Sequence, residues 1–393
     1  MLKQTTKFYI SSFLKNQTYF TPILIVFLQA QTLDYQQIFW VFTIGSIVSF
    51  LLEIPTGIFA DFYGKKRSVI ISKIFIFASF MTYGFANSFW LFVLAQAMFE
   101  FGNSFRTGTE TAFIYDYLKQ TKDQPGYTEV KGKQKFWARA GESIATAAGG
   151  VIAGQLGYNW AFFFAAIPAF GNVINAFVWE DIEERHDDYF SWKETWTHTK
   201  DSVCQLCNNK HLLIITVNIT LFTAVVASMD KFIQPYMENV GIPIEYFGFV
   251  YAASLALTAI AVRYSYVLED KFGKVKTINA LSILAIIPAM IIGFKFVSII
   301  GVVLFFIIII IENFRSPIAN NAFHGLVKSE ERATLGSILS QVKSLGKMVI
   351  LPVAGFFADT FSLYIAMMIL AGILLLNGVL FYIRKNAASS STQ

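Results

Sequence analysis

Charged side chains stand inside stretches of this sequence that are otherwise apolar, and charges there need a physical reason. Glu100, Arg106 and Glu110 share one such stretch, and Asp230 with Lys231 closes another. Glu312 and Arg315 occupy a third, Lys343 and Lys347 a fourth. In a bilayer each would cost at least about 2.5–3.5 kcal/mol, so each should pair, bind or relay. Arg106 and Glu110 are spaced i,i+4 and Glu312 and Arg315 i,i+3, which puts each pair on one helix face. Lys343 and Lys347 also share a face, and two cations there call either for an anionic substrate group or for Glu312 or Asp230. Arg106, Glu110, Glu312, Arg315, Lys343 and Lys347 are therefore the candidate lining of a substrate cavity, with structural pairing as the competing role. A proton-coupling group must be acidic and shielded from water. Glu100 fits best, having no cation three or four residues away; Asp230 is second, with Lys231 beside it.

The composition says what surrounds these charges. Of 393 residues, 55% are hydrophobic, 17% aromatic and only 15% charged, and Phe alone occurs 41 times. Soluble domains carry about 25% charged residues, so this chain has too little polar surface to cover a water-soluble fold of its size. With 2 cysteines it is no disulfide scaffold, and its apolar content excludes a disordered chain. At about 20 residues per span, twelve apolar runs can be placed, near 8–31, 37–60, 69–86, 89–117, 134–157 and 159–179, then 212–236, 244–268, 275–294, 297–325, 333–358 and 362–383. They should be helices, because lipid offers the backbone no hydrogen-bond partners. No period-two alternation suggests a transmembrane barrel.

Lys3, Lys7, Lys65, Lys66, Arg67, Lys119 and Lys131 lie in connections on one side of these runs, as do Lys271, Lys274, Lys276 and Arg384. The opposite connections hold Asp34, Glu238, Glu245 and Asp359, with Lys295 as their one cation. The positive-inside rule then places both termini in the cytoplasm. Residues 181–210 form the one long polar segment, where Tyr189, Trp192, Trp196, Val203 and Leu206 draw an apolar stripe suited to an amphipathic helix on the membrane surface. It joins two helical bundles, 1–180 and 211–393. His198, Cys204, Cys207 and His211 have a spacing that zinc can use, but a single pair beside a span reads as reduced thiols and no metal site.

The two halves repeat. Asp61-Phe62-Tyr63-Gly64-Lys65 closes the second run and Asp270-Lys271-Phe272-Gly273-Lys274 closes the eighth, 209 residues later. The same offset relates Arg106 to Arg315. The stretch from Gly57 through Asp61, Gly64, Lys65 and Lys66 to Arg67 resembles the signature loop between the second and third spans of the major facilitator superfamily. That resemblance extends over the span count, the paired halves and the degenerate second copy. It implies an all-α polytopic membrane protein of twelve helices in two pseudo-symmetric six-helix bundles, working by alternating access about a midplane site. It also implies a conformational latch, with Asp61 at a helix N-terminus of the other half and Lys65 to Arg67 reaching Asp116. Gly57 would allow close helix contact, and Asp270 and Gly273 would repeat the device. Many exporters of the superfamily carry a proline-containing run in span five; here the comparable stretch is Ala145-Thr146-Ala147-Ala148-Gly149-Gly150, without the proline. The small residues Gly141, Ala145, Gly149, Ala153 and Gly157 still form one smooth face for close packing.

No phosphate-binding Gly-x4-Gly-Lys-[Ser/Thr] loop and no catalytic constellation occurs, so an enzyme, a nucleotide-powered pump and any cofactor are not expected. The reading is a secondary transporter of a small organic solute in a bacterial inner (plasma) membrane, monomeric, without nucleic acid, with protons as coupling ion. Efflux of amphiphilic drugs or metabolites by antiport leads. Uptake of an anionic metabolite or metal chelate follows, because nine cations in the apolar runs (Lys15, Lys73, Arg106, Arg139, Lys231, Arg263, Arg315, Lys343, Lys347) exceed seven acids (Glu53, Glu100, Glu110, Asp116, Glu142, Asp230, Glu312). A membrane sensor that binds without moving its ligand is the third reading.

Overall fold

A computed structural model of the chain describes residues 2–121, 126–182, 200, 204, 206–295, 297–327 and 332–383. Regular structure among these residues is helical throughout, and the helices follow the apolar runs in order. The first run is divided. Helix α1 (Gln4–Lys15) stops at the polar Lys15-Asn16-Gln17, a 3-10 turn follows at Thr21–Ile23, and α2 (Leu24–Ala30) resumes. Asn16 Nδ2 donates to Ser12 O at 2.7 Å, taking up one of the carbonyls a helix end leaves open.

Helices α3 (Tyr35–Tyr63) and α4 (Lys65–Phe85) are joined by Gly64 alone, at φ 95°. That conformation is open to glycine and strained for other residues, so the Gly64 reversal can be tight. The fourth run is again divided, into α5 (Phe89–Arg106) and α6 (Thr109–Gln120), at Gly108 with φ 80°. Helices α7 (Tyr127–Leu156) and α8 (Tyr158–Phe177) complete the first series. The second begins with α9 (Lys210–Asp230) and the short α10 (Ile233–Asn239). Helices α11 (Phe247–Arg263) and α12 (Ser265–Phe272) end at Gly273, whose φ of 79° repeats the Gly64 reversal. Helices α13 (Lys274–Leu284), α14 (Ile286–Gly293), α15 (Ile299–His324), α16 (Arg332–Thr360) and α17 (Leu363–Leu380) follow.

Among the described residues, seven helical segments are long and apolar enough to cross a membrane, or eight if α11 and α12, bent by 41°, act as one. The remaining runs are broken or carry charge. Large side chains such as Phe85, Trp90, Ile167, Val349 and Leu380 stand exposed on helix surfaces, which suits lipid and would be unfavourable in water.

Contacts divide the chain into two units. The first takes Met1–Leu33, Ile44–Asp188 and Ile242–Ala252; the second takes Asp34–Thr43, Tyr189–Gly241 and Ala253–Gln393. In the first unit the small face of α7 packs on α1 and its continuation. A Cβ on Gly141 would stand 2.3 Å from Phe13 O, and one on Gly149 1.9 Å from Tyr19 O, so neither position accepts a side chain. Gly150 and Gly154, a little around the helix, meet Ile244 O and Glu245 in the same way. The aromatic core of this unit gathers Phe8, Phe113, Tyr117 and Trp179 edge to face. The second unit is packed by aliphatic residues instead, among them Ile215, Ile219, Ile278, Ile318, Leu335 and Leu339. Within this unit the start of α3 is capped by the Asp359 carboxylate, which accepts from Tyr35 N at 2.9 Å and Gln36 N at 2.5 Å. A carboxylate on free N–H groups at a helix start is favourable by both hydrogen bonding and dipole.

A Cβ on Gly57 would meet nothing within 4 Å, and the residue lies on an exposed stretch of α3. One sequence expectation is corrected here. The first, fourth, seventh, eighth and ninth runs are not single helices, since polar residues, Gly108 and local bends interrupt them. Most of the amphipathic segment expected within 181–210, including residues 183–199 and with them His198, lies outside the described residues.

Candidate functional site

The first unit gathers four of its charges, three of them at the ends of broken helices. Lys15 is the last residue of α1, Arg106 the last of α5, and Glu110 stands in the first turn of α6. A cation at a helix C-terminus and an anion at an N-terminus each gain from the helix dipole. Lys15 Nζ and Glu110 Oε2 form an ion pair at 3.1 Å. Ser11 Oγ donates to Glu110 Oε1 at 3.3 Å and accepts from Lys73 Nζ at 2.7 Å, so one hydroxyl links the acid to a second lysine. Lys73, on α4, is only 3% exposed and lies 4.3 Å from the Trp179 ring centroid, a cation–π contact. Arg106 Nη2 donates to Asn103 Oδ1 at 2.9 Å.

The expected i,i+4 pairing of Arg106 with Glu110 is not made. The backbone leaves the helix at Thr107-Gly108, which turns Glu110 toward Lys15 and leaves Arg106 with a neutral amide. Two cavities flank the Lys15–Glu110 pair. A cavity of about 70 Å³ is lined by Lys15, Lys73, Asn103, Arg106 and Asn172 on its polar side and by Leu14, Ile76, Phe80 and Phe99 on its apolar side. A second, of about 460 Å³, is lined by Lys15, Glu110, Tyr127, Lys131, Gln134 and Lys135.

Glu100 lies one and a half turns before Arg106 and accepts from Gln96 Nε2 at 3.1 Å; Gln96 Oε1 in turn accepts from Tyr83 Oη at 2.6 Å. This polar chain is set against Gly45, where a Cβ would crowd Gln96 and Glu100. Asp230 ends α9, and Lys231 beside it lies over the Phe42 ring at 4.2 Å.

The second unit treats its charges differently. Arg315 is fully buried; its Nε donates to Ser282 Oγ at 2.9 Å, an Nη donates to Asn218 Oδ1, and the guanidinium covers Phe222 at 4.1 Å. Asn218 also donates to Phe381 O at 3.1 Å and its carbonyl accepts from Asn377 at 3.1 Å. Arg315 therefore clamps α9, α13 and α15, and through Asn218 the end of α17. The expected local pairing with Glu312 gives way to contacts between helices, because Glu312 accepts from Thr223 Oγ1 at 3.0 Å. Lys343 donates to Asn320 Oδ1 at 3.3 Å, and Lys347 is half-buried on the same helix.

Of the loop residues, Lys65 meets Asp116 at 3.0 Å and Lys66 meets Asp181 at 3.8 Å. Asp61, Arg67, Asp270 and Gly273 are exposed at the helix ends. In the second copy Lys274 lies 3.8 Å from Glu269, which accepts from Asn321 at 2.8 Å. Cys204 and Cys207 are free and exposed, and among the described residues no group of His, Cys, Asp and Glu could hold a metal.

Sequence reasoning counted Lys15 and Lys73 among the cations in the apolar runs but did not select them; Ser11, Asn103 and Asn172 gave no signal at all. Their only trace was polarity in spans one, three, four and six, and nothing local shows that these positions converge.

The family model of the Major Facilitator Superfamily matches residues 9–311 and 213–393. "Uncharacterized MFS-type transporter YxaM" of Bacillus subtilis is 21% identical over 375 residues, 92% of this chain and 90% of that protein. "Uncharacterized MFS-type transporter MJ1560" of Methanocaldococcus jannaschii is 23% identical over 272 residues, 68% of each chain. Among solved structures, the nucleoside transporter NupG superposes with a TM-score of 0.80 at 15% identity, covering 97% of this chain and 98% of that one. An inward-facing bacterial homologue of the human lysosomal transporter Spinster gives 0.74 at 15% identity, with 98% and 95% covered. At such identities the likeness to solved structures carries the fold alone.

Proposed function

Since the chain belongs to the major facilitator superfamily of secondary transporters, we propose that it moves a small amphiphilic organic solute in exchange or in company with protons, and that the first unit holds the solute's polar end. The carrying observation is the Lys15–Glu110 ion pair standing between two cavities, with Lys73 and Arg106 on the wall. An ion pair that closes a cavity wall can open to admit a solute and close behind it, whereas the clamp at Arg315 would have to be dismantled. Phe80 and Phe99 on the same cavity support an amphiphilic solute. Glu100, at the end of the Tyr83–Gln96 chain, is the proposed proton carrier, with Asp230 as the alternative.

Lys65–Asp116, the Gly64 reversal and their repeat at Gly273 support a latch at these loops that holds one conformation closed. The basic residues on one side of the apolar runs support cytoplasmic termini in an inner membrane. The competing direction, uptake, is supported by the cations of the first unit; efflux is supported by the aromatic wall.

The test uses purified protein in liposomes holding a pH-sensitive dye, with cationic, neutral and carboxylate solutes added outside. Lumenal acidification on adding a solute marks symport, and alkalinisation marks antiport. Absence of any solute-dependent pH change, with solute uptake intact, removes proton coupling. In Glu100→Gln, solute uptake should persist while the proton signal disappears; an unchanged signal removes Glu100 from the scheme.

A further inference from the structure

Lys73 is a buried cation whose contacts among the described residues are neutral. A hydroxyl and an indole ring hold it, and among the described residues no carboxylate forms an ion pair with it. A charge so placed keeps a large desolvation cost unless an anion completes it. Arg106, half-buried, is also without a carboxylate partner among the described residues: its Nη2 donates to the Asn103 amide and its Nε is buried with no acceptor. Lys15, Lys73 and Arg106 line one small cavity together, and among the described residues the one acid in contact with any of them is Glu110, so three cations there meet one carboxylate. Lys131 and Lys135, on the wider cavity across the Lys15–Glu110 pair, add to that field.

We propose that Lys15, Lys73 and Arg106 bind the carboxylate, or an oxyanion of equal size and charge, of the solute this protein carries, and that the solute replaces Glu110 at Lys15. The cavity, about 70 Å³, is on the scale of a small headgroup such as a carboxylate. The chemistry of the wall decides its sign. A cationic head would meet three cations, and a neutral head would leave Lys73 and Arg106 unanswered. An anionic head takes charge-assisted hydrogen bonds from both, of the kind worth about 1.5–3 kcal/mol, or roughly ten- to hundredfold in affinity each. Glu110 acts as the resident anion that keeps Lys15 paired while the site is empty. This assignment rests on the transporter reading above and names its substrate class.

The experiment is binding to the purified full chain in phosphatidylcholine nanodiscs, using benzoate and octanoate against benzamide and octanamide. The carboxylates should bind at least tenfold more tightly than their amides, and Lys73→Met should erase that preference while Lys73→Arg restores part of it. Glu110→Gln should tighten carboxylate binding several-fold, because the competitor is gone; a purely structural Glu110 would weaken or not affect it. Equal binding of acids and amides, or no response to either acid, overturns the site. Repeating the titration with phosphatidylglycerol added separates the two sources of an anion. If that lipid abolishes carboxylate binding, the site belongs to a lipid headgroup and the solute assignment falls. Carboxylate binding with no flux in liposomes sinks the transport reading and leaves the site; flux of neutral solutes alone does the reverse.

Discussion

The polar centres of the two units descend from one repeated pattern and do opposite work. At the offset of 209 residues, Arg106 answers to Arg315, Asn103 to Glu312, Lys73 to Ser282, Gly108 to Pro317 and Glu110 to Ala319. In the second unit the serine accepts from the arginine at 2.9 Å, and α15 runs through Pro317 without a break. The arginine is consumed as a clamp. In the first unit a lysine replaces that acceptor and Gly108 opens the helix, which gives Glu110 a helix N-terminus and directs it to Lys15. Its arginine stays half-buried beside a cavity. Two differences between the repeats thus separate a buried clamp from the wall of a cavity. The lesson is that an intramembrane charge says where a function can lie, and its neighbours say whether one does.

The comparison can be broken most decisively at the two arginine centres. Arg315→Met should cost about 3 kcal/mol or more, since two charge-assisted hydrogen bonds are lost and Asn218 and Ser282 are left buried. A fall in thermal unfolding temperature in detergent would show it; a stable variant that merely loses flux would reverse the assignment. Lys73→Met should leave the fold standing, or firm it, while flux of carboxylates is lost, because a buried cation with neutral partners is removed. Unfolding of that variant would make Lys73 a clamp as well.

Gly108→Ala sharpens the difference further. No atom lies within 4 Å of a Cβ there, so its cost is conformational, about 1–3 kcal/mol for a side chain at φ 80° and ψ −52°. Relief of that strain by continuing the helix would pull Glu110 away from Lys15, and transport should fall more than stability does. Asp359→Asn should cost about 1 kcal/mol by weakening the cap on α3, seen as a small shift in unfolding temperature. Smallest of all is Asp116→Asn. The Lys65–Asp116 pair is partly exposed, so its loss should change stability by about 0.5 kcal/mol while altering the solute concentration at half-maximal flux if it is a latch.

Much of the fold was legible because lipid permits few solutions. Apolar runs of span length must be helices, the repeated Asp-x-x-Gly-Lys turn announces two related halves, and both Gly64 and Gly273 adopt the positive φ that their reversals require. The stripe from Gly141 to Ala153 was equally plain, since small residues every four positions have one packing use and α1 takes it. The candidate site was half legible. Charges inside apolar runs stood out, but spacing along one helix suggested Arg106–Glu110 and Glu312–Arg315, and tertiary contacts overrode both.

By itself, then, the sequence determined the membrane, the helical class and the twofold repeat, because these depend on composition and on periods along the chain. Only the tertiary structure decided which charges meet. Lys15, Lys73 and Glu110 come from three helices and up to 95 residues apart, Lys15 paired with Glu110 directly and Lys73 linked to it through the hydroxyl of Ser11. No local pattern records such a meeting. Packing sets it, through the α7 glycines that let α1 lie close and the single positive φ at Gly108 that turns α6 toward it.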